Sequence, residues 1–394
     1  MKYDYLIIGA GIIGAALAAE IIRRKPGVRI LIAEKEAAAA WHQTGRNSGV
    51  VHSGVYYTPG SLKTRFCREG MAMTKAFCAT HGIAYEERGK LLVATNDTEE
   101  SNLARLQERA VQNAVHAEWV DQAQLRRLEP AITGQAGLLI PATAITDYTG
   151  ITKALLAQTE SAGGTVRFNA PVRAARKAGE AYDVSVGAET VSVGRIIACS
   201  GLASDRVARM LGITPGIRIL PFRGEYFVLP SHLNTVVRHL IYPVPDPTLP
   251  FLGVHLTPMV DGTITVGPNA VLALAREKYA HFSFDMRDAA SALCFPGLWK
   301  MLAKHPGPTW RELKGSLFKS YYLQAVRKYC PSIQLADLAT YRSANRAQAV
   351  RPDGTLVDDF LIEHSGGITA ILNAPSPAAT GAMPIAAKIA DDIL

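Results

Sequence analysis

Gly9-Ala10-Gly11-Ile12-Ile13-Gly14 stands between an apolar run, Tyr3 to Ile8, and an alanine-rich stretch, Ile12 to Arg24. This is the spacing of a strand-to-helix turn that lays bare backbone against a pyrophosphate. Gly9 allows the tight turn, Gly11 lets a phosphate approach the main chain, and Gly14 lets helix and sheet pack closely. The helix N-terminus adds partial positive charge. A second apolar strand, Val28 to Ala33, ends at Glu34, 20 residues past Gly14. A carboxylate there accepts hydrogen bonds from a ribose diol and repels a 2′-phosphate, so FAD or NAD fits and NADP does not. The same region, Leu6 to Ala19 behind Lys2, imitates a secretory leader ending in Ala16-Leu17-Ala18. Its glycines weaken a helical leader, and it is too short to span a bilayer. A strand–turn–helix reading explains both the apolar run and the glycine spacing.

Composition narrows the class. The chain has 394 residues, 48% of them apolar, with 42 Lys+Arg against 34 Asp+Glu, a net charge of +8. That excludes a disordered, coiled-coil or collagen-like chain. The basic residues are dispersed, the longest run being Arg23-Arg24-Lys25. Dispersion argues against nucleic acid as a partner and leaves acidic ligands and peripheral contact with an anionic membrane open. The five cysteines, Cys67, Cys78, Cys199, Cys294 and Cys330, form no CxxC pair. Neither a metal site nor a disulfide framework is expected, and a cytoplasmic location is.

Further along, Thr44 to Gly60 reads as a ligand-wrapping loop. Helices are expected over Glu99–Val115, after an N-cap at Asp121, and over Ile151–Ala162. Strands are expected over Thr165–Phe168, to Val193, and over Arg195–Ala198 into Cys199-Ser200-Gly201. Arg218–Leu229, Leu252–Thr257 and Thr263–Val266 alternate like antiparallel sheet, with a turn at Asp261-Gly262. Prolines 243, 245, 247 and 250 make the intervening connections rigid turns. A helical stretch runs over Asp285–Lys328, then strands over Leu356–Ile362 and Ile368–Leu372 and a final helix. The pattern predicts an α/β fold in which a Rossmann-like cofactor domain (1–80, 145–215, 340–394) is interleaved with an antiparallel-sheet substrate domain (81–144, 216–339).

The run His42 to Tyr57, with three glycines and several short polar side chains, suits a loop pressed against a flat polar ring. There the sequence resembles flavin oxidoreductases of the D-amino-acid-oxidase and glycerol-3-phosphate-dehydrogenase superfamily. His42–Lys63, Pro221–Phe227, Leu240–Pro247, Phe251–Thr257, Val266–Ala270, Arg346–Ala349 and Asn373–Thr380 narrow the resemblance to the L-2-hydroxyglutarate dehydrogenase/oxidase family. Two stretches depart from it: Ser343-Ala344-Asn345, where a small-residue approach to Arg346 is expected, and the loosely matching 285–320.

The resemblance implies bound FAD and oxidation of a dicarboxylate hydroxy acid, L-2-hydroxyglutarate, to 2-oxoglutarate by hydride transfer to flavin N5. A quinone or oxygen then takes the electrons. A base must take the hydroxyl proton, and His255 and His52 are the rivals, each equally open to a structural role. Arg346 occupies the position of a carboxylate-binding arginine, with Arg223, Tyr226 and Tyr242 beside the distal carboxylate. The cofactor would be held by Gly9, Gly11, Gly14, Glu34, Thr44, Asn47, Ser48, Gly49, Val172, Gly201, Ser376, Ala378 and Thr380. Ser376-Pro377 reads as the start of the final helix, aimed at the flavin, with Pro384 kinking it two turns in. The alternatives are a superfamily flavoenzyme acting on an amino acid or glycerol 3-phosphate, and a flavin-containing RNA-modifying or RNA-binding factor.

Overall fold

In the computed structural model, which describes residues 2–245, 253–304 and 306–394, the glycine turn links the strand Lys2–Ile8 to the helix Ile12–Arg24. Gly9 has φ +106°, and a Cβ on it would lie 2.6 Å from the Cys199 carbonyl oxygen. A Cβ on Gly14 would lie 2.1 Å from the Gly9 carbonyl oxygen. Neither position accepts a side chain without moving backbone. The stretch Leu6–Ala19 is therefore divided between strand, turn and helix.

Around Lys2–Ile8 a parallel sheet assembles in the order Thr165–Arg167, Ile30–Ala33, Lys2–Ile8, Glu189–Ala198, Ile368–Asn373. Leu6, Ile7, Ile30, Leu31 and Ile32 are fully buried, as expected of parallel strands covered on both faces. The strand Glu189–Ala198 shares one of its edges between two partners. Its first half pairs antiparallel with Ala181–Val186, its last residues parallel with Ile368–Asn373. The helix Ile12–Arg24 packs on the helices Tyr148–Ser161 and Ala382–Ile393, with Ala15, Leu17, Ala18 and Ile21 excluded from solvent. Burying Leu17 and Ile21 is worth about 1.5–3 kcal/mol each.

A second, eight-stranded sheet faces this one across a cavity. Its order is Ala339–Thr340, Phe227–Val228, Ile264–Gly267, His255–Pro258, Leu240–Pro243, Lys90–Ala94, Ala136–Ile140, Glu118–Asp121. Only Leu240–Pro243 and Lys90–Ala94 run parallel in it. A three-stranded sheet, Val271–Leu272, Arg218–Gly224 and Ala344–Val350, stands between the two. Four helices fill the expected helical stretch, at Met286–Leu293, Pro296–Lys304, Pro306–Leu317 and Lys319–Arg327. Asp121 caps the helix Gln122–Leu128 through a reciprocal pair with Gln124.

Several expectations need correction. The strand expected from Leu356 begins at Leu361, and Leu356 makes one isolated bridge to Val350. The strand expected from Leu252 begins at His255; Leu252, Phe251 and Pro247–Pro250 lie outside the described residues. The final helix is Ala382–Ile393, capped by Gly381 rather than Ser376. Residues 375–381 form turns closed by Ala378 N–H to the Pro375 carbonyl and Gly381 N–H to the Pro377 carbonyl, both 2.9 Å. Pro384 is then the third helical residue. The first turn has no intrahelical acceptor for its N–H groups, so a proline there kinks nothing. Among the described residues no helix is long and apolar enough to cross a membrane.

Candidate active site

The two large sheets enclose a cavity of about 890 Å³. One end is built by the glycine turn. Gly11 presents bare backbone there, and Thr44 Oγ1 accepts the Ile12 N–H at the helix start (3.1 Å). Glu34 is buried, with one carboxylate oxygen on the Ala10 N–H (2.8 Å) and the other on the Glu36 N–H (2.9 Å). Asn47 ties the following loop to itself: Nδ2 donates to the Thr44 carbonyl (2.7 Å) and Oδ1 accepts the Gly49 N–H (2.8 Å). Gly49, at φ +68°, supports this turn from behind. Ser48, Val172 and Gly201 complete this end.

The other end is aromatic and basic. His255 and Tyr242, on neighbouring strands, stack with ring centroids 4.0 Å apart and planes 7° apart. His255 Nδ1 lies 2.8 Å from Thr257 Oγ1, which leaves Nε2 as the nitrogen available to a ligand. Opposite stands His52, whose backbone N–H donates to Thr380 Oγ1 (3.1 Å) and whose buried Nδ1 has no partner. Thr380 Oγ1 also shares a hydrogen bond with the Tyr148 hydroxyl (2.9 Å). Burial, then the charge of Lys90, pushes His52 down to about 3. Burial, then Arg346, His52 and Lys90, holds His255 well below the usual imidazole value. Both histidines are thus neutral near pH 7. That is the form a proton acceptor needs.

The structure brings together most of the expected residues: Gly9, Gly11, Glu34, Thr44, Asn47, Ser48, Val172, Gly201, Ser376, Ala378 and Thr380 line the cavity with His52, His255, Tyr226, Tyr242 and Arg346. Arg346 donates to the Asn269 carbonyl (3.1 Å) from the strand Ala344–Val350. Asn345, part of the departing approach to Arg346, is buried and donates to the carbonyls of Ala275 (3.1 Å) and Arg276 (2.8 Å). Three residues stand apart. Gly14 and Gly49 act behind the cavity wall, and Arg223 is turned away into an ion pair with Glu225 (2.8 Å) and a bond to the Ala280 carbonyl (3.3 Å). Sequence reasoning also passed over Lys90, Tyr56 and Thr257. Their signal is a lysine opening an apolar strand and a threonine two places after a histidine. At the cavity wall, His42 and Glu277 come with Glu36 within metal-ligand reach of one another, but the Lys35 ammonium contacts all three.

Comparison with known proteins fixes the family. The DAO model, described as FAD dependent oxidoreductase, matches residues 4–392. L-2-hydroxyglutarate dehydrogenase of Escherichia coli K12 is 48% identical over 393 residues, covering 99% of this chain and 93% of that protein. The mitochondrial human L-2-hydroxyglutarate dehydrogenase is 37% identical over 410 residues, covering 100% and 89%. The chain belongs to the L-2-hydroxyglutarate dehydrogenase family of FAD-dependent oxidoreductases. Solved structures confirm the family fold. L-α-glycerophosphate oxidase from Mycoplasma pneumoniae, with FAD bound, superposes with a TM-score of 0.80 at 21% identity, over 98% of this chain and 94% of that one. Glycine oxidase from Geobacillus kaustophilus gives 0.74 at 17% identity, over 99% and 94%. The family cofactor suits these residues. The Gly11 backbone is unobstructed, a Cβ there meeting only Thr44 Oγ1 at 3.3 Å. The Glu34 carboxylate borders the cavity, and the buried Ser200 hydroxyl beside it lacks a partner.

Proposed function

We propose that this protein oxidises L-2-hydroxyglutarate to 2-oxoglutarate and passes the electrons to a quinone or to oxygen. The observation that carries this reading is 48% identity to an L-2-hydroxyglutarate dehydrogenase along almost the whole of both chains. Bound FAD supplies the hydride acceptor. Glu34 takes the adenosine ribose, and the turn Gly9–Gly11 takes the pyrophosphate against the helix start. Ser48, Val172, Gly201 and the turn Ser376–Thr380 hold the remainder. Arg346 binds one substrate carboxylate and so orients the Cα hydrogen. Tyr226 and Tyr242 face the distal part of the substrate. His255, through Nε2, takes the hydroxyl proton; His52 is its rival for that step. In this division of labour the parallel sheet serves the cofactor and the eight-stranded sheet the substrate.

The protein works in the cytoplasm and touches the inner face of the cell membrane peripherally. A net charge of +8 supports that contact, as do the exposed Trp299, Trp310 and Phe318 on the helical stretch. Anaerobic bleaching of the flavin spectrum, run with L- and D-2-hydroxy acids, amino acids and glycerol 3-phosphate, tests the reading. L-2-hydroxyglutarate should reduce the flavin fastest. Faster reduction by glycine or glycerol 3-phosphate would move the assignment to that substrate class.

A further inference from the structure

Lys90 opens the strand Lys90–Ala94 and is almost wholly buried, 1% exposed. A lysine so placed is normally matched by a carboxylate, because an unpaired buried charge is costly. Among the described residues no carboxylate pairs with it. Its ammonium instead lies 4.4 Å from the centre of the Tyr56 ring and 5.4 Å from that of Tyr242. Two aromatic faces partly replace the lost hydration. Tyr242 is the ring that stacks on His255, and Tyr56 belongs to the same loop as His52. Both tyrosines line the cavity; Lys90 stands behind them.

The neighbouring groups leave this charge unbalanced. Tyr56 faces it from the loop and Tyr242 from the adjoining strand, Cys67 on the helix Leu62–His81 feels its charge, Tyr57 stands next to Tyr56 under Lys63, and Tyr226 and Arg346 lie beyond His255. Burial raises the tyrosine hydroxyls and lifts the Cys67 thiol to about 12, so all of these are neutral at pH 7. Lys90 and Arg346 are the cations whose charge reaches His255; Lys63, Arg105 and Arg109 also line the cavity, on the side of Tyr56 and Tyr57.

We propose that Lys90 is a positioning cation that acts through the histidines: from behind Tyr56 and Tyr242 it excludes a proton from His52 and His255 until a substrate with two carboxylates neutralises the site. In the free enzyme, protonating either histidine would add positive charge to a site that already holds Lys90 and Arg346. Once the dianion is bound, its negative charges offset the positive field that Lys90 sets on the histidines. The proton leaving the substrate hydroxyl then enters a neutral site, and the O–H electron pair stays on oxygen as the carbonyl forms. The charge of the substrate thereby switches on the base that the substrate needs. For its timing this inference rests on the proposed hydroxy-acid oxidation.

Lys90→Met and Lys90→Arg, each loaded with FAD, test it. Imidazole resonances titrated by NMR in the absence of substrate should show at least one active-site histidine titrating about one pH unit or more higher in Lys90→Met, and unshifted in Lys90→Arg. In kcat/KM, which reports free-enzyme ionisations, the acid limb should move up by the same amount in Lys90→Met. Burial lowers Lys90 to about 8; above that pH the site loses a cation that the substrate dianion faces, so the wild type should show an alkaline limb in kcat/KM that Lys90→Arg removes. Unchanged histidine titration in Lys90→Met overturns the proposal. Should that variant not fold, an alkaline limb near 8 that persists in Lys90→Arg overturns it instead. The NMR titration needs no turnover, so failure of L-2-hydroxyglutarate to bleach the flavin would strike the substrate assignment and leave this one standing.

Discussion

Asp205→Asn should destabilise the protein far more than an ordinary surface substitution. Asp205, in the helix Ser204–Met210, has a fully buried side chain, and Arg276, beyond the strand Val271–Leu272, is 4% exposed. The guanidinium spans both carboxylate oxygens, at 2.5 and 3.1 Å, and donates to the Leu202 carbonyl at 2.9 Å. Asn keeps the shape and removes the charge, which strands a buried guanidinium. Breaking such a pair costs about 3–5 kcal/mol, a large part of the roughly 5–15 kcal/mol that holds a domain folded. Urea unfolding of the FAD-loaded protein measures it. Replacing both partners, as Asp205→Asn/Arg276→Met, should recover part of the loss, because no charge is then left uncompensated. Burial pushes the Asp205 carboxyl up, but the Arg276 hydrogen bonds and charge, the Ile219 N–H and Arg209 outweigh it and set it below the ordinary value. A depressed carboxyl contributes stability that is present above its unfolded pKa of about 4 and lost as pH falls through the folded value. The wild type should therefore weaken more steeply below about pH 4 than Asp205→Asn does. A cost under about 1 kcal/mol, or a double variant no better than the single one, would refute the reasoning. Leu202 lines the cavity, so flavin retention should fall along with stability.

Three further outcomes are expected. His255→Gln should slow anaerobic flavin reduction by about 10²–10⁴-fold, with His52→Gln less affected; fast reduction in His255→Gln transfers the base role to His52. Glu34→Gln should weaken FAD binding about tenfold or more, through one charged hydrogen bond to a ribose hydroxyl, read by flavin fluorescence on dilution; unchanged retention places the ribose elsewhere. Flotation with anionic liposomes should carry the protein upward and flotation with neutral ones should not, equal behaviour counting against peripheral contact.

What was legible in the sequence was what backbone geometry dictates. The turn Gly9–Gly14 and the acid at Glu34 are fixed by steric limits and by one hydrogen-bonding role, and such requirements leave few substitutes. Ser376-Pro377 misled for the opposite reason. A helix cap and a turn ask for the same residue types, and only the close of the turn at Gly381 distinguishes them. Arg223 was drawn toward the substrate because the strand pattern does not show that Glu225, just past the end of that strand, already claims it. Lys90 stayed hidden because a lysine at a strand's first residue usually reads as an exposed end. It is the parallel partner Leu240–Pro243 and the antiparallel partner Ala136–Ile140 that enclose it.

The divided edge of Glu189–Ala198 governs the order in which the molecule can be made. Its second partner, Ile368–Asn373, and the helix Ala382–Ile393, which seals Ile12–Arg24, are translated after the strands and helix they complete. Until they emerge, the preceding residues carry an unfinished nucleotide-binding sheet with an open rim and an unsheltered helix. Pairing so distant in sequence is slow to close, and until it closes the open edge is the part of the chain most exposed to aggregation.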